Sequence, residues 1–186
     1  MNKADDKRVR KTKKVLREGL AHLMMEKDLR SITVRELVDS VDIHRGTFYA
    51  HYKDIYDLYE QMEDMVIGEL AAIMGNLSLS DEAFFETLIS YIYDNAKICR
   101  MFLDKNGSRS FIDRVSDLLE KQYIEWMREI DTNQVPDEWA FFACYHIRGC
   151  LAIISQWAEQ DFSCPKDKIV RIILSVDKGF DKLLAQ

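Results

Sequence analysis

An all-α protein of about nine helices is the fold class this sequence predicts, on three observations. Apolar residues recur at helical spacing through almost the whole chain, and no run alternates apolar and polar residues as a half-buried strand does. Only two prolines and seven glycines occur in 186 residues, so few positions force a long helix to break. Helix-start signals, Thr33 with Glu36 and Asp54 with Asp57, stand immediately before helical stripes.

In the first helix, Leu16, Leu20, Leu23 and Met24 fall on one face. The second opens with a Thr33–Glu36 capping box and carries Val34, Leu37, Val38 and Val41 over about eight residues. A short break at "DI" leads into another short helix, about residues 44–51. Asp54 and Asp57 then cap a long helix ending near Met74. "NLSLSD" is the candidate linker, with Ser80 able to cap the next helix. Phe84, Phe85, Leu88, Ile89, Ile92 and Cys99 mark that helix, which ends near "DKNGSRS". Phe111, Val115, Leu118 and Leu119 open another, stopped by "DTNQVPD". Two more complete the chain: Trp139 to about Gln160 and, after Pro165, Ile169 to Leu184. The expected organisation is a three-helix unit at 1–53, a connecting helix and linker at 54–79, and a helical body at 80–186.

Charge divides the chain in the same place. Residues 1–53 hold 13 Lys+Arg against 8 Asp+Glu, a net of +5, whereas residues 54–186 hold 13 against 24, a net of −11. A basic N-terminal part suits a polyanion and an acidic body does not. The most apolar stretch, "AFFACYHIRGCLAIISQWA", is interrupted by His146 and Arg148 and reads as a buried helix, not a membrane span. With no secretory leader, Cys99, Cys144, Cys150 and Cys164 read as reduced thiols of a cytoplasmic protein.

"IHRGTFYAHYKD", residues 43–54, is where chemistry concentrates. Two short helices joined by a tight turn make a helix-turn-helix unit, whose second helix enters the DNA major groove. On that helix Phe48 and Tyr52 turn inward with Ile43, while Arg45, Gly46, Tyr49 and Ala50 share the opposite face. Gly46 and Ala50 permit close approach, and Arg45 has the reach and fork to grip guanine O6 and N7. Thr47, Tyr49, His51 and Lys53 suit phosphates, and the helix-start amides behind Thr33 and Asp54 offer further anion contacts. A metal site is not expected: His44 and His51 supply two ligands with no third nearby. No nucleophile–base pair and no phosphate-cradling glycine loop is present, so neither an enzyme nor a bound cofactor is expected.

The run "TVRELVDSVDIHRGTFYAHYKDIYDLYEQM" closely resembles the DNA-binding domain of the TetR family of bacterial transcriptional regulators, over about residues 8–60. The resemblance implies a homodimer on a palindromic double-stranded operator and a C-terminal domain for a small-molecule effector. It implies base or backbone contacts from Arg45, Thr47 and Tyr49, and phosphate contacts from Thr33, His51 and Lys53, with His44 and Gly46 in the same surface. Three positions depart from the family pattern: Asp42 where the turn commonly has glycine, His44 in place of a small cap, and Ile55 in place of a frequent lysine. "HIRGCLAIISQW" is similar to the C-terminal subtype of regulators near the dihydroxyacetone-kinase activator.

In the body, the stripe Ile169, Ile172, Ile173, Val176 and Phe180, with Ile153, Ile154 and Trp157 before it, reads either as a four-helix dimer interface or as intramolecular core. Tyr91, Tyr93, Cys99, Trp126, Tyr145, His146 and Trp157 are the aromatic or polar-tipped residues that a ligand cavity in apolar helices would use. The expected function is a ligand-responsive regulator, by family default a repressor released by its effector, with an activator as the variant. The alternative of another class is a helical protein-interaction module whose DNA face is unused.

Overall fold

The computed structural model describes residues 3–75, 81–103, 109–130 and 138–184, with side chains for all of these except 3–6, 81, 109–110, 123, 126–130, 138–139 and 177–184. Among the described residues the structure is nine α-helices, one 3-10 turn (Leu29–Ser31) and no strand. The helices are α1 (Lys3–Met24), α2 (Val34–Ser40), α3 (Arg45–Tyr49), α4 (Ile55–Gly75), α5 (Asp81–Asp94), α6 (Ala96–Leu103), α7 (Arg109–Ile130), α8 (Glu138–Glu159) and α9 (Lys166–Leu184). The chain forms two compact units, Met1–Gly68 and Glu69–Gln186, and the division falls inside α4. Ser80 and the segments "NLSLS", "DKNGS" and "DTNQVPD" lie outside the described residues.

In the first unit, Leu16, Leu20 and Leu23 of α1 are buried with Leu37 and Val38 of α2, Phe48 of α3 and Leu58 and Met62 of α4. Met24, Val34 and Val41 are only half-buried. A Cβ added at Gly19 would meet Val41 Cγ1 at 2.4 Å and Leu37 Cδ1 at 3.1 Å, so α1 passes α2 at a distance only glycine allows.

In the second unit α5 packs on α9, and α8 on α6, α7 and α9. Its core joins Phe85, Ile89 and Ile92 of α5, Ile154 and Trp157 of α8, and Ile169, Val170, Ile173 and Leu174 of α9. The continuous helix expected from Phe84 past Cys99 is instead two. Asn95 sends both its backbone N–H and its side-chain amide to the Tyr91 carbonyl, each at 3.0 Å, while its own carbonyl accepts from Ile98 and Cys99. A side chain competing for the helix's own acceptor ends α5 and starts α6. The α8–α9 corner puts Asp161 and Phe162 at φ 56° and 54°, and Phe162 N–H closes back on the Trp157 carbonyl at 3.0 Å.

Candidate nucleic-acid interface

Each corner of the α2–α3–α4 segment is closed by a side chain. At the start of α2, Thr33 Oγ1 accepts from Glu36 N–H at 3.2 Å. The Glu36 carboxyl is held below its ordinary pKa by its bond to Lys27, with the Thr33 amide helping, so the capping box is reciprocal. Asp42 takes φ 52°, the left-handed turn position, which aspartate tolerates better than most residues. His44 then fills the N-cap of α3: its Nδ1 accepts from Gly46 N–H at 3.1 Å.

The expected helix at residues 44–51 is α-helical only over Arg45–Tyr49. Ala50 and Tyr52 N–H still bond back to Gly46 and Phe48 carbonyls, so the segment runs on as a turn. At the start of α4, Asp57 N–H donates to Asp54 Oδ1 at 2.8 Å and Lys53 N–H to Asp57 Oδ2 at 2.7 Å. The Lys53 amide, then Gln61, holds the Asp57 carboxyl below its ordinary range. The amides of Glu36, Lys53 and Asp57 are therefore already bonded within the chain, which leaves side chains as the main anion-binding groups there.

Phe48 is fully buried, and Tyr52 is buried 5.6 Å from it, ring centre to ring centre. Burial pushes the Tyr52 phenol above its ordinary pKa, and Lys13 Nζ lies 5.7 Å from the centre of its ring. On the other side His44, Arg45, Gly46, Tyr49 and Ala50 are exposed, Tyr49 to 52%. Lys53 and Thr33 are exposed, and Thr47 and His51 half-buried. Ile55 is buried, so the position where the family often has lysine is apolar core here. Tyr56, exposed to 51%, adds an aromatic hydroxyl that the sequence pattern did not single out. Two anchoring aromatics beneath an exposed Arg–Gly–Tyr–Ala face can lie along a groove, with basic side chains at its edges.

Four of the expected pocket residues, Tyr91, Tyr93, Cys99 and Trp157, come together at the C-terminal core. Tyr93 stacks on Trp157, ring centres 6.0 Å apart and 17° from parallel. Trp157 and Cys99 are core, Tyr91 packs against that core, and the Trp157 N–H is satisfied by the Cys164 carbonyl at 2.8 Å. Burial pushes the Cys99 thiol up to about 12, leaving it inert. Tyr145 is exposed, His146 is half-buried with Nε2 3.9 Å from Cys150 Sγ, and the Trp126 side chain lies outside the described residues. Among the described residues no group of three or more His, Cys, Asp or Glu is arranged to hold a metal, and no helix is long and apolar enough to cross a membrane.

The expected interface stripe divides. Ile154, Trp157, Ile169 and Ile173 are buried in the chain's own core and Ile153 packs against it, so the intramolecular reading holds for them. Ile172 and Val176 are exposed, to 39% and 48%. The Phe180 side chain lies outside the described residues.

A capped two-helix unit presenting an arginine–tyrosine face, ahead of an all-helical body, defines the class of helix-turn-helix transcriptional regulators. Residues 80–178, more than half of the chain, match the family model for the TetR transcriptional regulator C-terminal region, and the chain belongs to the TetR family. It is 21% identical over 162 residues to the uncharacterised HTH-type transcriptional regulator YxbF of Bacillus subtilis (strain 168). That match takes in 83% of this chain and 41% of YxbF, so the chain spans about two fifths of the length of this relative. Among solved structures, a TetR transcriptional regulator from Streptococcus agalactiae 2603V superposes with a TM-score of 0.63 at 18% identity, over 93% of this chain and 97% of that one. The dihydroxyacetone kinase operon activator DhaS superposes with a TM-score of 0.59 at 19% identity, over 90% and 96%. At these identities the likeness is one of fold.

Proposed function

We propose that the chain is a ligand-responsive transcriptional regulator that binds a palindromic operator as a homodimer, most simply a repressor released by a small molecule. The observation that carries this reading is the exposed face of Arg45, Gly46, Tyr49 and Ala50 over buried Phe48 and Tyr52. In it Arg45 reads a base edge, Tyr49 and Thr47 touch base or backbone, and Thr33, His44, His51 and Lys53 meet phosphates. Two copies are needed to set recognition helices about 34 Å apart, one turn of DNA. Ile172 and Val176, the exposed part of the α9 stripe, are the residues offered to the second copy. Residues 1–53 act as the DNA-binding part, 54–79 as the connection and 80–186 as the effector and dimer part. Since α4 runs through the division between the two units, effector binding in the body can shift operator affinity through that helix. Such a protein works in the cytoplasm, with DNA.

Fluorescence anisotropy on duplex from the protein's own upstream region, against shuffled duplex at low and physiological salt, tests the reading. Sequence-selective binding that weakens with salt is expected. Arg45→Ala should cost about 1–3 kcal/mol and relax preference at one base pair. An equal loss on every sequence removes base readout, and binding without selectivity favours the protein-interaction module. Val176→Asp should lower the sedimentation mass to that of a monomer; an unchanged mass removes the α9 interface.

A further inference from the structure

Ser116, in the middle of α7, is fully buried, and its hydroxyl has no hydrogen-bond partner among the described residues. Three other helical hydroxyls return to their own backbone: Ser40 donates to Leu37 O at 2.7 Å, Thr87 to Ala83 O at 2.8 Å and Ser175 to Arg171 O at 2.6 Å. That local bond is the usual way a helix disposes of such a group. Ser116 instead stands between Asp113 and Glu120, at i, i+3 and i+7 on one face of α7. From α8, which packs on α7, Arg148 spans the same two turns, with NH1 3.8 Å from Asp113 Oδ1 and Nε 3.9 Å from Glu120 Oε1. Both separations exceed hydrogen-bond length, and Glu120 Oε1 is itself buried with no hydrogen-bond partner among the described residues. The seam thus holds a buried hydroxyl with no hydrogen-bond partner among the described residues and a buried carboxylate oxygen held only by a long ion pair to Arg148, an arrangement that costs stability unless something completes it.

The charge of the seam says what would fill it. Two carboxylates face one guanidinium, a net of −1, within a body whose residues 54–186 carry a net of −11. Glu120 Oε1 can only accept and the Ser116 hydroxyl can accept as well as donate, so a donor is the one kind of partner that serves both. We propose that the α7–α8 seam receives the polar head of the effector, and that this head is an ammonium or a similar N–H-bearing cation. This rests on the ligand-responsive reading above and names the chemistry of its effector. An ammonium brings three donors for Glu120 and Ser116, whereas a carboxylate or phosphate would face Asp113 and Glu120 with only Arg148 in its favour. Phe141 and Tyr145 precede Arg148 at i, i+4 and i+7 along α8 and are exposed to 77% and 67%, giving aromatic surface for the body of a cationic ligand.

Thermal unfolding of the full chain with 2-phenylethylammonium, phenylacetate and 2-phenylethanol presents one aromatic body with three heads. The ammonium compound should raise the Tm with concentration and the other two should not. Glu120→Gln should weaken the apparent affinity for the ammonium about tenfold. Ser116→Ala should leave the ligand-free Tm unchanged or higher, since it removes an unmet hydroxyl, while weakening the response to the ammonium. Stabilisation by phenylacetate equal to that by the ammonium overturns the proposal, as does no response to any of the three. A lowered ligand-free Tm in Ser116→Ala also overturns it, because the hydroxyl would then be bonded within the fold. Sequence-selective DNA binding without an ammonium response sinks the cation subsite alone. An ammonium response dependent on Glu120, without DNA binding, sinks the regulator reading alone.

Discussion

The corners around α3 and the seam between α7 and α8 treat polar groups in opposite ways. Around α3, Thr33, His44, Asp54 and Asp57 each bond an amide two to four residues away, and the face left outside is arginine, glycine, tyrosine and alanine. Along α7, Ser116 Oγ and Glu120 Oε1 are buried with no hydrogen-bond partner among the described residues, while apolar Phe141 on α8 and Ile172 and Val176 on α9 stand exposed. The first region is locally complete, so it holds its shape before anything binds. The second leaves polar groups without hydrogen-bond partners among the described residues. On the proposed function the first is the rigid reader and the second the receiver that an effector completes.

The largest effect that would sharpen this contrast is Ile173→Asp, which puts a charge at a fully buried site of the C-terminal core. It should cost more than about 4 kcal/mol and unfold that unit outright. All three tryptophans, Trp126, Trp139 and Trp157, belong to the second unit. Their fluorescence should therefore lose its unfolding transition in urea while part of the helical circular dichroism survives. Simultaneous loss of both signals would break the comparison, since the units would then fold as one. Phe48→Ala should cost about 3–5 kcal/mol and abolish operator binding while leaving the tryptophan transition in place.

Smaller still are the caps: Thr33→Ala or Asp54→Ala should each cost about 1 kcal/mol, read from the urea midpoint of the first unit. Acid should act on the same corners. Asp57 and Glu36 have carboxyl pKa values lowered by folding, through the Lys53 amide and Lys27 respectively. Their contribution is complete above the ordinary carboxylate range and is lost as the pH falls through their lowered folded values. Asp57→Asn should flatten the acid dependence of the first unit's stability, and an unchanged acid profile would show that the corner contributes nothing.

Legibility in the sequence tracked the range of the interactions. The caps at Thr33 and Asp54, the left-handed Asp42 and the inward Phe48 and Tyr52 are decided within a few residues, and all were legible. Gly19 was not, because its role depends on Val41, more than twenty positions away. The break at Asn95 was hidden by an apolar stripe that continues across it. On α9, a stripe wide enough for two neighbours did not reveal that Ile169 and Ile173 face the chain's own core while Ile172 and Val176 face outward. Trp157 carried a ligand-like signature, yet its N–H is spent on the Cys164 carbonyl across a corner built from Asp161 and Phe162. Polar tips on apolar helices identify candidates; only the fold shows which are already occupied.

One corner residue also fixes a proton. A serine or threonine cap has a hydroxyl that can rotate, donating or accepting as its surroundings ask. At His44 the Gly46 amide occupies Nδ1, and Nδ1 must be bare to accept it. The hydrogen of the neutral ring then resides on Nε2, so the second nitrogen of an exposed side chain at the leading end of α3 is a donor and nothing else. Where a hydroxyl would be indifferent to the polarity of what it meets, this imidazole is one-signed, complementary to purine N7 or a phosphate oxygen and mismatched to an exocyclic amine.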